Sequence, residues 1–408
     1  MQDREDTTRL EVPFHVPDIG EEEVRAVSET LRSGWITTGP RTLEFERAFA
    51  SYLGAGRAIA VASGTAALHL ALRAVGIGEG DEVVTTPYTF VASTESILYL
   101  GAKPVFVDID PRTLNIDPAA AAAAITPRTK ALLPVHIGGY PCEMGALSDL
   151  AKKHGLSIVE DAAHALPAEA GGRKIGTIGT ATAFSFYATK NLTTGEGGMV
   201  TTEDDALADR MRVLGLHGIQ GDAWKRYTKG GRWYYEVVDQ GYKYNMSDIQ
   251  AALGLVQLGK LDRLQEIRRR HDRIYRDALK ECPLILPPED DADHRSALHL
   301  FIVRLDPGKT QWSREALIET LRERGVFPSV HFIPVHLHPY YREMGYRRGM
   351  FPIAERSYDN ALSLPFYPSM PDVSVEYVVD TVRRVLLEEA PSPREGSPDM
   401  QAGRPQGV

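Results

Sequence analysis

The 408-residue chain has only two cysteines, Cys142 and Cys282. That is too few for a disulfide framework or a cysteine-based zinc site and fits free thiols in a reducing compartment. A basic surplus is also missing. The formal net charge is −9, so no positive face is available to neutralise a phosphate backbone, which argues against nucleic acid or an anionic membrane as the main partner. No run approaches the ~20 apolar residues that a membrane span requires, and the first residues, Met1-Gln2-Asp3-Arg4-Glu5-Asp6, are acidic where a secretory leader has an apolar core. The chain is therefore expected in the cytoplasm. No Gly-x-Gly-x-x-Gly follows the first predicted strand, which removes a nucleotide-binding dehydrogenase from consideration. There is no internal repeat, and no metal is expected.

What is present is alternation. From about residue 55 to 202, short β-branched apolar runs alternate with helical patterns, the signature of crossover units around a parallel sheet. Strands are predicted at Ala58 to Ala62, Glu82 to Thr86, Pro104 to Asp108, Ala131 to His136, Ser157 to Asp161, Ala181 to Ser185 and Met199 to Thr202. The fold class is α/β: a mostly parallel, doubly wound sheet of about seven strands flanked by helices. Ser247 and Gln250 have capping-box spacing at the head of a long helical pattern, and past Pro283 the signals are those of a smaller C-terminal α+β domain. Its closing helix aligns Val375, Val378, Val379, Val382, Val385 and Leu386 on one face. The expected organisation is a disordered N-terminus (1–11), a large domain with an N-terminal arm (12–260), a small C-terminal domain (261–390) and a disordered tail rich in Pro, Gly, Ser and Gln (391–408).

The chemistry is concentrated around Lys190, in the segment Phe184-Ser185-Phe186-Tyr187-Ala188-Thr189-Lys190-Asn191 just before the turn Gly195-Glu196-Gly197-Gly198. A strand ending in an acid, here Asp161, followed by a strand leading into a Ser/Thr/Lys turn, is how a pyridoxal-phosphate (PLP) enzyme presents its Schiff-base lysine and the carboxylate for the pyridine nitrogen. A carboxylate ending an apolar strand is costly unless paired, and against the pyridine nitrogen it keeps that nitrogen protonated. His164 is placed to touch the ring. Ser63-Gly64-Thr65 lies between a strand and a helix, where the amides of Gly64 and Thr65 meet a phosphate at the positive helix end. Phe90 or Tyr88, at the carboxyl end of the next strand, is placed to stack on the ring.

Together these residues resemble the DegT/DnrJ/EryC1/StrS family of sugar aminotransferases, PLP enzymes of the aspartate-aminotransferase fold (fold type I). The likeness covers roughly residues 12 to 388 and includes Gly34 to Pro40, Ser63 to Leu68, Glu160 to His164, Ser185 to Asn191, Gly241 to Gln250 and His331 to His336. The resemblance implies a homodimer or larger assembly with shared active sites, with Lys190 as the imine-forming lysine, Asp161 on the pyridine nitrogen, His164 beside the ring and Phe90 stacked on it. Gly64, Thr65 and Ser185 would hold the phosphate from one chain, and Asn245 or Lys243 would reach it from the other. Many members read Asn where this chain has Lys243, and Arg where it has Asn245. His331 and the loop with Trp35 and Thr38 match segments that line the sugar site, Tyr88 is a further candidate substrate contact, and the aromatic, basic stretch Gly221 to Tyr235, with Trp233, suggests a lid or a contact for a substrate anion.

The activity implied is transfer of the amino group of L-glutamate to a keto sugar on a nucleotide diphosphate, for cell-surface polysaccharide or natural-product glycan synthesis. Lys190 separates this from a related dehydratase branch, which has histidine there. Two alternatives remain: a keto-cyclitol aminotransferase of the same family, and a non-catalytic PLP-binding regulator.

Overall fold

A computed structural model of the chain describes residues 10–220 and 234–390. Both termini expected to be disordered fall largely outside these residues, as does most of the suggested lid. The main sheet is built from β1 (Arg57–Val61), β2 (Glu82–Thr85), β3 (Lys103–Phe106), β4 (Thr129–Leu133), β5 (Ser157–Asp161), β6 (Ala181–Ser185) and β7 (Gly198–Thr202), in the order β1-β7-β6-β5-β4-β2-β3. β7 runs antiparallel to both of its neighbours, and the other six strands share one direction. Seven predicted strands are thus seven strands of one sheet, with ends displaced by a few residues.

The sheet is covered on both faces because successive side chains along a strand point to opposite sides. Ile59, Val83, Val159 and Val200 join a core that includes Leu70 and Leu72 of the helix Gly64–Ala74. Their chain neighbours Ala58, Ala60, Val84, Ile158 and Met199 join a second core with Phe45 and Phe49 of the helix Pro40–Leu53. That helix and Glu21–Arg32 before it lie outside the alternating region read from sequence.

The long helix begins with the predicted capping box at Ser247 and Gln250 and runs unbroken as Asp248–Leu279. Beyond it, β8 (Leu284–Ile285), β9 (Phe301–Leu305) and β10 (Ala361–Leu364) form an antiparallel sheet in the order β8-β9-β10. The closing helix Asp372–Glu388 buries Val375, Val378, Val382 and Val385 against this sheet, in a third core that also holds Tyr275 of the long helix. Val12, from the N-terminal arm, packs in that core and pairs with Val326. The apolar segment Val326 to Ile333 forms only isolated bridges, this one and a second between Ser329 and Ser363 of β10, and then leads back toward the large sheet. No described helix is long and apolar enough to cross a membrane, and no group of His, Cys, Asp and Glu among the described residues is arranged to hold a metal ion.

Candidate active site

The shared strand direction brings the carboxyl ends of β1, β2, β5 and β6 to one edge of the sheet, where ligands bind in open α/β folds. A cavity of about 510 Å³ lies there, closed from above by the small sheet and the N-terminal arm, and bordered by Gly64, Thr65, Phe90, Asp161, His164, Ser185, Lys190 and His331. Eight of the residues singled out from sequence are therefore brought together, although they come from widely separated parts of the chain.

Lys190 follows β6 in a turn closed by its own amide, which donates to the Tyr187 carbonyl at 2.9 Å. No hydrogen bond or ion pair engages its amine among the described residues. Burial pushes the Lys190 pKa down from 10.5 to about 8, against an opposing pull from the Asp161 charge. An amine of this kind is a better nucleophile at neutral pH than a solvated lysine.

Asp161 ends β5 and is 6% exposed. Its Oδ1 accepts the Ala163 amide at 3.1 Å and its Oδ2 accepts the Ser93 hydroxyl at 2.7 Å. Ser93 has one proton, and giving it to Asp161 makes Thr89 Oγ1, 2.7 Å away, the donor to Ser93. The preceding acid, Glu160, is spent inside the fold. It accepts the Gly179 amide and the Thr182 hydroxyl, both at 2.7 Å, and lies 3.0 Å from His136 Nε2. Because His136 Nδ1 accepts the Cys142 amide at 3.0 Å, its proton sits on Nε2 and points to Glu160. One acid of the pair thus anchors the strand while the other faces the cavity.

At the opposite end, the Ser63 side chain caps the helix Gly64–Ala74 by accepting the Ala66 amide at 3.1 Å. A Cβ on Gly64 would stand 2.8 Å from the Ser185 Cβ, so glycine is required for the two segments to meet. The result is a helix N-terminus with its free amides beside a serine, suited to a phosphate. Phe90 is 58% exposed, with its ring bordering the cavity.

Four imidazoles border the cavity: His15, His164, His299 and His331. Burial lowers the pKa of each, and the Lys190 charge acts in the same direction on all four; His15 and His331 fall to about 4. His164 lies 4.4 Å from His299 between ring centroids, and its Nδ1 is buried without a partner. His299 Nδ1 contacts Asn191 Oδ1 at 3.0 Å, while both Asn191 amide protons go to the carbonyls of Leu166 and Ala297. His331 is clamped by Ser363 Oγ at 2.9 Å and by the Phe14 ring at 5.2 Å.

Other sequence candidates sit elsewhere. Tyr88 is fully buried and does not border the cavity; its hydroxyl donates to the His331 carbonyl at 2.9 Å, which makes it a strut under that segment. Trp35, Thr38, Lys243 and Asn245 form a separate cluster outside the cavity. There the Trp35 indole donates to the Thr38 carbonyl at 3.1 Å, Asn245 Nδ2 donates to Thr38 Oγ1 at 2.6 Å, and Lys243 donates to Asn245. Trp233 lies outside the described residues. Sequence reasoning missed Ser93, His15 and His299. The run of buried hydroxyls at Thr89, Ser93, Thr94 and Ser96 was a signal for the first. Nothing in the local sequence marks His15 or His299, which reach the cavity only because the arm and the small sheet fold over it.

The donor set fits PLP: a free amine, a buried carboxylate, a helix N-terminus with an adjacent hydroxyl and an aromatic face border one cavity large enough for the cofactor. Comparison with known proteins agrees. Residues 17–383 match the model of the DegT/DnrJ/EryC1/StrS aminotransferase family. The chain is 52% identical over 377 residues to the spore coat polysaccharide biosynthesis protein SpsC of Bacillus subtilis, covering 92% of this chain and 97% of that one. Among solved structures, Spr1654 of Streptococcus pneumoniae in its PMP form superposes with a TM-score of 0.86 at 35% identity, covering 91% of this chain and 98% of that one. The Helicobacter pylori aminotransferase PseC, involved in pseudoaminic acid biosynthesis, superposes with a TM-score of 0.85 at 31% identity, covering 92% and 99%.

Proposed function

From the premise that the chain belongs to the DegT/DnrJ/EryC1/StrS aminotransferase family and is a PLP-dependent sugar aminotransferase, we propose that it moves the amino group of L-glutamate onto a keto sugar carried by a nucleotide diphosphate. The products are 2-oxoglutarate and an amino sugar destined for a cell-surface polysaccharide or related glycan. The names of SpsC and PseC support the glycan setting. The observation that carries the chemical part is the unpaired, pKa-lowered amine of Lys190 in one cavity with the Asp161 carboxylate.

PLP, when bound, supplies an aldehyde that exchanges amines and a ring that accepts electrons. Lys190 would hold it covalently through its amine, and that amine, when free, would be the base that takes a proton from the amino-bearing carbon of the donor. Asp161, fixed by Ser93 and Ala163, would accept the pyridine N–H and keep that nitrogen protonated. Gly64, Thr65 and Ser185 would receive the phosphate, Phe90 would cover one face of the ring, and His164 would stand beside it. Asn245 or Lys243 of a second copy completes the phosphate site in a homodimer, which accounts for their lying outside the cavity of their own chain.

The test is Lys190→Ala, assayed with glutamate and a panel of keto-sugar nucleotides and keto-cyclitols. Turnover should disappear while the cofactor still binds noncovalently; near-normal activity would overturn the assignment. Amination of the cyclitols alone would replace the substrate class and leave the chemistry standing.

A further inference from the structure

Lys243 and Asn245 belong to a short extended segment held on both sides by backbone hydrogen bonds. On one side, the Tyr244 carbonyl accepts the Ala62 amide at 2.7 Å, just past the end of β1. On the other, the Tyr242 and Tyr244 amides donate to the carbonyls of Leu214 and Gly215 at 2.7 and 2.9 Å, and the His217 amide donates to the Tyr242 carbonyl at 2.8 Å. Both flanks are antiparallel bridges, Val61 with Asn245 and Leu216 with Lys243. Side chains alternate along such a segment. Lys243 and Asn245 meet on one side, while the rings of Tyr242 and Tyr244 stack on the other at 5.1 Å.

The two tyrosines rest on His69 of the helix Gly64–Ala74. Its ring lies 4.7 Å from Tyr242 and 5.9 Å from Tyr244 between centroids, and its Nδ1 is 2.9 Å from the Tyr244 hydroxyl. His69 is buried, and its Nε2 has no partner. An apolar residue would fill the same place without leaving a polar atom unpaired. The hydrogen bond to Tyr244 is what an apolar residue cannot make. One helix therefore serves twice: its N-terminus at Gly64 and Thr65 borders the cavity of its own chain, and His69, about a turn and a half later, props the segment that carries Lys243 and Asn245.

We propose that His69 and Tyr244 are positioning residues for the cofactor phosphate, their hydrogen bond setting where Lys243 and Asn245 stand and so how well these meet the phosphate of the neighbouring copy. The proposal rests on the assignment of Lys243 or Asn245 to that phosphate in the preceding section. Neither His69 nor Tyr244 borders the cavity, so both act through the residues they hold. Hydrogen bonds weaken steeply once distance and angle depart from their optimum, which makes the placement of the segment matter.

The full-length protein, freed of cofactor, tests this by titration with PLP and with pyridoxal, which lacks the phosphate, following the absorbance of the lysine-bound form. Tyr244→Phe keeps the ring stack and removes only the hydroxyl. Its affinity for PLP should fall about threefold to tenfold, with the affinity for pyridoxal unchanged. His69→Leu should do the same, and His69→Asn, which returns a hydrogen-bonding group near the place of Nδ1, should recover most of the loss. In hybrids with a Lys190→Ala chain, only one covalent site remains. The loss should appear when Tyr244→Phe is in the Lys190→Ala chain and disappear when it is in the other. Parallel losses for both ligands, no loss for either, or a loss confined to the opposite hybrid would overturn the proposal. The double variant Lys243→Ala/Asn245→Ala checks the reading beneath it. If that variant keeps the wild-type preference for PLP over pyridoxal, the phosphate assignment fails and the proposal with it; if it loses the preference while Tyr244→Phe keeps it, only the positioning role fails.

Discussion

At the scale of single residues, the behaviour of Lys190 follows from its surroundings. A lysine with a pKa of about 8 is neutral for about a tenth of the time at pH 7, against less than about a thousandth for an ordinary lysine. Because the shift is downward, the neutral, nucleophilic form is gained as pH rises through 8 and is nearly complete above 9. Capture of PLP by the apoenzyme, followed by stopped-flow absorbance, should therefore accelerate through pH 8, where it reaches half its limit, and level off above about pH 9. A rate that keeps climbing toward pH 10 would mean that the amine is solvated. Asp161 acts through charge, so Asp161→Ala should slow turnover on the order of a hundredfold or more with a much smaller effect on thermal unfolding. A variant that unfolds outright would point to a structural role. Ser93→Ala removes one hydrogen bond to the same carboxylate and should reproduce a small part of that loss.

At the scale of elements, the site exists because four strand ends and one helix start share an edge. The tightest of these contacts is Gly64 against Ser185. Gly64→Ala would place a methyl 2.8 Å from the Ser185 Cβ, forcing the helix start away from β6. The expected cost is about 1–3 kcal/mol in stability, with a larger loss in PLP affinity, measurable by chemical denaturation and by cofactor titration. Unaltered PLP affinity would mean that the two segments can separate without harm.

The elements themselves were legible in the sequence because their signals are local. Alternation of two cores along Val83-Val84 or Ile158-Val159 appears as continuous apolar runs, and Ser247 with Gln250 announced its helix by a capping pattern. The residues around the cavity were legible in part. Lys190, Asp161 and Gly64 sit in turns whose chemistry is unusual for their positions, whereas His15 and His299 are ordinary in sequence and become part of the cavity only through contacts across much of the chain. Tyr88 misled for the opposite reason: its place at a strand end suggested a ligand contact, but the side chain turns inward to hold the His331 segment.

At the scale of the whole molecule, the cluster of Trp35, Thr38, Lys243 and Asn245 is organised by internal hydrogen bonds, yet none of its members borders the cavity of the same chain. If a second copy supplies them to the neighbouring site, two damaged chains should complement each other. Lys190→Ala mixed with a double Lys243→Ala/Asn245→Ala variant should recover up to about a quarter of wild-type activity after subunit exchange, since half of the dimers would be mixed and each would hold one intact site. No recovery, with exchange verified by mass, would argue for sites complete within one chain. The central claim, reversible amino transfer through Lys190 to a keto sugar, is tested most directly by the absorbance of the PLP-loaded protein during sequential addition of substrates. The band of the lysine-bound cofactor should vanish with L-glutamate and return with a keto-sugar nucleotide. A band that glutamate leaves unchanged, or one that Lys190→Ala displays and cycles in the same way, would contradict the account.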